Sequence, residues 1–343
     1  MPVPIFLIVP ALLSMAGLLV IIPALTRPDL FFAVTVSPEF RRTADGLRIL
    51  RRYRAIVWSS TLIAMAVTLA SGMPLVAMLI LAAGYLWALV SSHGRALAYA
   101  ASPSTVREVD LGAPRESLPG GPIVALLPVA FLGALGGWVA GHFDRLPSRL
   151  PVHWGLHGVD GWVATTPTTV FGLLAVYAST CLLMAGIAWA LLHWSRRIST
   201  SGPGAAGERQ FRRRMMQLLI ATEYLLVGPP ALTLLAPAAP SMEMWVLVLT
   251  LVIVAFALTL FRAGQGGARA TVSAGEAPAG DRTPDACWKW GLFYVNPADP
   301  SILVEKRFGI GYTVNLGNRW AWVVLVAVLV PAVLGMIFLR RAG

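Results

Sequence analysis

The chain has 343 residues, of which 57% are hydrophobic and 13% charged, and its mean hydropathy is +0.72. Soluble domains carry about 25% charged residues, so this composition excludes a water-soluble globule and predicts an integral membrane protein. Lys and Arg number 27 against 16 Asp and Glu, and the loops of a membrane protein account for this excess without a nucleic-acid partner. No motif in the sequence indicates a cofactor.

Apolar runs predict about eight transmembrane helices (a range of about seven to nine), because a bilayer core about 30 Å thick needs about 20 apolar residues per helix. The runs lie near residues 3–25, 55–72, 74–92, 122–141, 169–192, 215–236, 242–261 and 320–339. The first seven make a bundle within residues 1–261, so the predicted fold class is an all-α membrane bundle. Pro229 and Pro230 remove two backbone donors from the sixth run, and we expect a kink or a split there.

Basic residues predict which side of the membrane each loop faces. Four loops hold 23 of the 27 Lys and Arg residues, whereas the segments on the other side hold four. These basic loops are residues 26–54, 93–121, 193–214 and 262–319. By the positive-inside rule they are cytoplasmic, and the N-terminus and segment 142–166 are extracytoplasmic. We therefore expect a multi-pass protein of a bacterial inner membrane, whose arginine clusters contact anionic headgroups on the cytoplasmic side of the lipid bilayer.

The most distinctive segment on the predicted outer side runs from residue 150 to residue 163. Its Asp160-Gly161 pair, a hairpin signal, predicts a short β-like turn with a structural or ligand-facing role. The candidate ligand or signalling residues are Pro151, His153, Trp154, Gly158, Asp160 and Trp162. Trp154 and Trp162 are expected to pack across the turn or to lie at the headgroups.

A divalent metal bound by His153, His157 and Asp160 is the minor alternative for this segment. The two histidines lie four residues apart, but the surrounding glycines argue against a helix that would bring their rings together. No metal is therefore predicted.

Glu223 lies near the middle of the sixth apolar run, six residues after Gln217. A carboxylate in hydrocarbon is costly, so we expect this side chain to face the bundle interior. Two interpretations stand: a proton relay or substrate contact, and a protonated Glu that hydrogen-bonds to a neighbouring helix. The nearby Pro229-Pro230 pair favours the first, since carbonyls freed at a helix break line many transport sites.

Residues 262–286 are rich in Gly, Ala, Ser and Pro, which predicts a flexible linker. Residues 287–319 follow as a small module, in which aromatic and β-branched runs broken by Asn-Pro and Asp-Pro predict a small cytoplasmic β-hairpin unit. Its candidate residues are Asn296, Asp299, Lys306, Arg307 and Asn315. Lys306 and Arg307 are expected to touch anionic headgroups, and the last transmembrane helix follows at 320–339.

The outer segment carries a motif that resembles the signature of an uncharacterised bacterial membrane domain. The motif residues are Pro151, His153, Trp154, Gly158, Asp160 and Gly161. The same domain begins the SdpI-type immunity proteins, which protect cells from a secreted peptide toxin and in part act as signalling receptors. Residues 31–40 resemble a first-loop segment of these relatives, and residues 288–315 resemble a second uncharacterised domain often fused to the first. Gly155 stands where the family has Asn, and the second half characteristic of SdpI immunity proteins is missing.

The resemblance implies a non-enzymatic membrane protein that senses, or protects against, envelope-active peptides or envelope stress. Its expected partners are a peptide ligand outside the cell or a regulatory protein inside. A small transporter that uses Glu223 is the alternative from another class. A membrane-embedded, metal-dependent hydrolase built on the histidines of 142–166 is a remote third, since the sequence has neither HExxH nor GxSxG.

Overall fold

The structure is a computed structural model that describes residues 5–101, 116–155, 158–196, 204–235, 242–273, 281 and 283–342. Seven helical segments in these ranges are long and apolar enough to cross a membrane. A bent pair, Leu247–Ala263 with Gln265–Val272, raises the number to eight if the pair counts as one span. The expected all-α membrane bundle of about eight helices is therefore confirmed.

Ten helices and four two-stranded antiparallel sheets make up the described fold. The helices are α1 (Ile5–Leu25), α2 (Ala44–Ser71), α3 (Pro74–Ala96), α4 (Gly121–Gly141), α5 (Pro167–His193), α6 (Ala205–Leu226), α7 (Gly228–Leu235), α8 (Met242–Ala263), α9 (Ala268–Ser273) and α10 (Arg319–Ala342). The paired strands are β1 (Leu30–Phe31) with β2 (Val34–Thr35), β3 (Arg149–Gly155) with β4 (Gly158–Ala164), β5 (Trp288–Lys289) with β6 (Phe293–Tyr294), and β7 (Leu303–Glu305) with β8 (Tyr312–Val314). Helix α5 contacts α4, α6 and α10, which makes it the central helix of one half of the bundle.

Helix α6 begins ten residues before the apolar run predicted at 215–236. Its first turns are polar, and hydropathy detects only the part of a helix that lies at bilayer depth. The extension is nevertheless packed, because Phe211 is fully buried and Glu208 and Arg212 are 9% and 5% exposed. Two of the charged side chains in this basic segment therefore belong to the protein core.

The prolines of the sixth run interrupt the helix without redirecting it. Only Val227 separates α6 from α7, and it keeps helical angles (φ −72°, ψ −28°). The Ala231 amide donates to the Val227 carbonyl at 3.2 Å, which continues the helical pattern. Pro229 and Pro230 occupy the first turn of α7, where missing amide donors cost nothing. Residues 205–235 therefore count as one span rather than as a split helix.

Part of the predicted flexible linker 262–286 is ordered structure, so that prediction is wrong for residues 265–273. Gln265 is fully buried, and its side-chain amide makes two hydrogen bonds with the backbone of Gly311. Composition alone suggested a linker because glycine and alanine are frequent in both linkers and close-packed turns. Residues 274–280 lie outside the described part of the chain.

Candidate functional site

Strands β3 and β4 form a hairpin between α4 and α5, here called the 149–164 hairpin. The chain reverses between Gly155 and Gly158, whereas Asp160 and Gly161 lie inside β4. The prediction that Asp160-Gly161 forms the turn is therefore wrong. Gly161 serves the strand pairing instead, since a Cβ at this position would lie 2.7 Å from the Cβ of His153 on the facing strand.

The 149–164 hairpin is anchored in the bundle on one side and exposed on the other. Leu150 is 1% exposed and belongs to the same hydrophobic cluster as Val170 and Leu174 of α5. His153 is exposed, and Trp162 is 50% exposed. The hairpin thus rests on α5 and presents an imidazole and an indole to its surroundings.

The other residues of the predicted outer motif lie in the same two strands. Pro151 is buried opposite Trp162, so Trp154 and Trp162 are not cross-strand partners. The side chains of Trp154 and Asp160, and the whole of His157, lie outside the described residues. Within the described ranges, no group of three or more His, Cys, Asp or Glu side chains is close enough to hold a metal ion.

Glu223 lies on the inward face of α6 and is fully buried. Neither of its carboxyl oxygens has a hydrogen-bond partner among the described residues. Met216 and Ile220, seven and three residues earlier, are buried on the same helix face. A buried carboxyl without a partner costs free energy, so the position is destabilising unless something else uses it.

Gln217 does not join Glu223 in one site. It is exposed, and six residues correspond to a rotation of about 240° around a helix. Of these two polar residues of the sixth run, only Glu223 is therefore buried in the bundle.

Asn315 is the organising residue of the module. It is fully buried, and its amide nitrogen donates to the carbonyls of Asn296 (2.9 Å), Asp299 (3.1 Å) and Ser301 (3.2 Å). Its amide oxygen accepts from the backbone amides of Asn296 (3.0 Å) and Gly317 (3.1 Å). One side chain therefore holds the loop between the β5–β6 and β7–β8 hairpins.

Asp299 ties the same loop to the end of α5. Its carboxylate accepts from the Arg196 guanidinium and from the hydroxyl of Tyr294 (2.9 Å). Burial, together with the nearby Asp299, raises the pKa of Tyr294 to about 12, so the phenol remains a donor. Burial also acts to raise the pKa of Asp299, but the bonds from Arg196 and the Ser301 amide outweigh it and hold this pKa below its ordinary value.

Arg307 joins the module to the first loop of the chain. The side chain is 1% exposed and forms ion pairs with Asp281 and with Asp285 (2.5 Å). It also donates to the carbonyl of Ala33 at 2.9 Å. The predicted headgroup contact is therefore wrong for Arg307, because its charge is neutralised inside the protein. Lys306, the preceding residue, is exposed.

A third ion-pair cluster was not predicted from the sequence. Arg27, two residues after the end of α1, is bonded to Glu208 of α6 at 2.8 Å and to Glu305 of β7. Burial raises the pKa of Glu305 above its ordinary value despite the opposing charge of Arg27. The only available signal was an acidic residue, Glu208, in the otherwise basic segment 193–214.

Helix α5 connects the 149–164 hairpin directly to the module. Thr166 caps its start: the Thr166 hydroxyl accepts from the Thr169 amide, and the Thr169 hydroxyl accepts from the Thr166 amide. At its other end the Trp194 carbonyl accepts the amides of Ile302 (2.9 Å) and Leu303 (3.1 Å), and Ser195 forms a β-bridge with Leu303. The helix has 27 residues, so the two ends lie about 40 Å apart.

Asn315→Asp is expected to lower the free energy of unfolding by about 3–5 kcal/mol, because an aspartate cannot donate to the three carbonyls that Asn315 satisfies. Thermal unfolding of the purified protein measures the change. Asn318→Asp is the matched control, since Asn318 is only half-buried and its side chain donates to a single carbonyl, that of Pro300. Equal losses in the two variants would contradict the role assigned to Asn315.

Low pH is expected to destabilise the module because it protonates Asp299. The pKa of Asp299 is lower in the folded protein than in the unfolded chain, so its contribution is present above about pH 4 and is lost as the pH falls further. Hydrogen exchange of the module between about pH 5 and about pH 3 should therefore show loss of protection in the wild type. Asp299→Asn should remove this component of the pH dependence, and an identical acid profile in both proteins would exclude it.

Comparison with known proteins gives one partial match. The sequence model of a family described as a family of unknown function (DUF5808) matches residues 297–322, which hold β7, β8 and the start of α10. No curated protein matches the chain, and no solved structure matches it either. The match places a domain of unknown function at the module, where residues 288–315 resemble an uncharacterised domain.

Proposed function

We propose that this chain is a non-enzymatic protein of the bacterial inner membrane that senses envelope-active peptides or envelope stress, or protects against them. The observation that supports this best is the path of α5, which begins at the 149–164 hairpin and ends on the module. A ligand that shifts the hairpin would act on the module through one packed helix. Packed side chains and rigid helices can carry coupling of this kind, and α5 is such an element between the two sites.

The distribution of charge supports the direction of this signal. The 23 basic residues of the four basic loops favour an outer position for segment 142–166 and an inner position for residues 262–319. The resemblance of the outer motif to the SdpI-type domain adds the kind of ligand, a membrane-active peptide. Half-exposed Trp162 suits such a ligand, since tryptophan contributes strongly to protein and peptide contacts.

The ion pairs of the module offer a way to transmit the signal onward. Arg196 and Arg27 bind the module from α5 and from the end of α1. Release of these contacts would expose carboxylates to a regulatory protein on the inner side. The module is then the output and the hairpin the input.

Survival of bacteria challenged with membrane-active peptides tests this function. Cells that express the chain should survive a peptide or envelope stress that kills cells without it. Trp162→Ala should remove the protection at unchanged protein level, whereas Trp322→Ala, which alters a comparably exposed tryptophan (57%) of α10, should keep it. No survival difference under any peptide or stress of a broad panel would contradict the proposal.

Proton-coupled transport is the second candidate, and a specific observation favours it. The carboxyl of Glu223 is fully buried within a membrane span and lacks a partner among the described residues. Groups of this kind carry protons in many transporters. Proton flux into vesicles that contain the purified protein tests this candidate. The wild type should show a flux, and Glu223→Gln should remove it. Absence of flux in the wild type would exclude proton transport.

A further inference from the structure

A cavity of about 770 Å³ lies between α1, α8 and the module. Aliphatic side chains of the two helices form its walls: Leu18, Ile21, Ile22, Val254, Ala257 and Leu258. Residues of the β7–β8 turn, among them Lys306 and Phe308, close one end. This volume falls within the range of about 300–1,000 Å³ that is usual for small-molecule sites.

The walls of this cavity favour an occupant that enters from the bilayer. Val254 and Leu258 are 48% and 52% exposed, and both belong to the bent helix pair Leu247–Ala263 and Gln265–Val272, which together is long and apolar enough to count as a span. Exposed side chains at that depth face acyl chains rather than water. The long part of an occupant is therefore hydrocarbon.

The end of the cavity at the β7–β8 turn is basic, whereas the walls are apolar. Lys306 is exposed, and its ammonium group has no hydrogen bond or ion pair among the described residues. Its neighbour Arg307 also lines the cavity but already binds Asp281 and Asp285. An anionic group at the end of an apolar chain would supply the counter-charge that Lys306 lacks, as in basic pockets between transmembrane helices that bind lipid headgroups.

We infer that this cavity binds one anionic phospholipid of the surrounding leaflet, with an acyl chain along α1 and α8 and its phosphate at Lys306. The site does not depend on the proposed sensing function or on the sidedness of the chain. It makes the module a lipid-contacting unit through Lys306, while Arg307 fixes the turn that carries this lysine. The lipid bridges the module and two membrane helices at a place where protein contacts leave a gap.

Titration of the delipidated, purified full-length protein with phosphatidylglycerol or phosphatidylcholine tests this inference, with native mass spectrometry as the readout. The wild type should bind phosphatidylglycerol more tightly than phosphatidylcholine. Lys306→Gln should weaken phosphatidylglycerol binding by about fivefold, the factor expected for one lysine near a headgroup, and leave phosphatidylcholine unchanged. Lys289→Gln is the matched control, because Lys289 is the chain's other lysine, is exposed and lies outside this cavity.

A second pair of variants tests the apolar part of the site. Ala257→Trp fills the cavity and should abolish binding of both lipids, whereas Ala255→Trp, exposed on the same helix and outside the cavity, should not. Equal affinity of the wild type for the two lipids would overturn the inference, as would wild-type phosphatidylglycerol binding by Lys306→Gln. Equal effects of the two tryptophan variants would overturn it as well.

Discussion

Replacing Arg307 by leucine is expected to lower the free energy of unfolding by about 3–5 kcal/mol and to detach the module from the bundle. The side chain is 1% exposed, and its guanidinium donates to Asp281, to Asp285 and to the Ala33 carbonyl. Its loss leaves two carboxylates, only 15% and 20% exposed, without their counter-ion. Removing one partner of a buried ion pair is costly for this reason, even where the intact pair contributes little net stability.

The adjacent residue provides the control for this prediction. Lys306→Leu removes the same charge one position earlier, but this side chain is exposed, so its effect should stay within about 0.5 kcal/mol. Protease sensitivity of residues 281–318 and thermal unfolding are the two measurements. If Arg307→Leu remains as resistant as Lys306→Leu, the module is not fixed to the first loop in the way that the ion pairs indicate.

Replacing Glu223 by leucine is expected to raise the free energy of unfolding by about 1–3 kcal/mol, the cost of burying a polar group without a hydrogen bond. The carboxyl is fully buried on the helix face that also buries Met216 and Ile220, so a leucine fits the apolar character of this face. A residue that lowers stability at its own position is a candidate for a functional role, and proton or substrate binding is such a role.

Gln217→Leu is the control for Glu223→Leu, because it makes a polar-to-apolar change on the exposed face of the same helix. Thermal unfolding in detergent should show little change for Gln217→Leu. A lower unfolding temperature for Glu223→Leu would contradict the unpaired state of this carboxyl and would indicate a stabilising partner instead.

The membrane bundle was predictable because each apolar run is long enough to cross a bilayer by itself. The polar first turns of α6 were not predictable, since other parts of the chain cover them: Glu208 pairs with Arg27, Arg212 pairs with Glu116, and Phe211 packs near Tyr312. Hydropathy contains no information on which polar residues another part of the chain will cover. For this reason the predicted start at residue 215 came ten residues late.

The candidate site was predictable only in its residue types. Asn296, Asp299 and Asn315 were singled out from the module and do lie together, in one hydrogen-bond network. Their partner Arg196 lies 103 residues before Asp299, and Arg27 lies 278 residues before Glu305. Pairs so distant in sequence are set by tertiary packing, which loop charges and local patterns do not reveal.

The 149–164 hairpin shows a different limit. Asp160-Gly161 is a strong local turn signal, yet Gly161 lies within β4, where a close approach to His153 requires the absence of a side chain. Glycine is favoured both at turns and at close strand contacts, so its presence did not distinguish the two. The chain reverses between Gly155 and Gly158 because these two residues are the last pair in the register of β3 and β4.

The central claim is that α5 couples the 149–164 hairpin to a docked module, and hydrogen exchange of peptides within residues 301–316 tests it most directly. The amides of Ile302 and Leu303, which bind the Trp194 carbonyl, should exchange slowly in the wild type and faster in Leu150→Ala, which loosens the hairpin on α5. Ile123→Ala, at a 75% exposed position of α4, should leave them unchanged. Unprotected amides in the wild type, or identical exchange in Leu150→Ala and the wild type, would contradict the account.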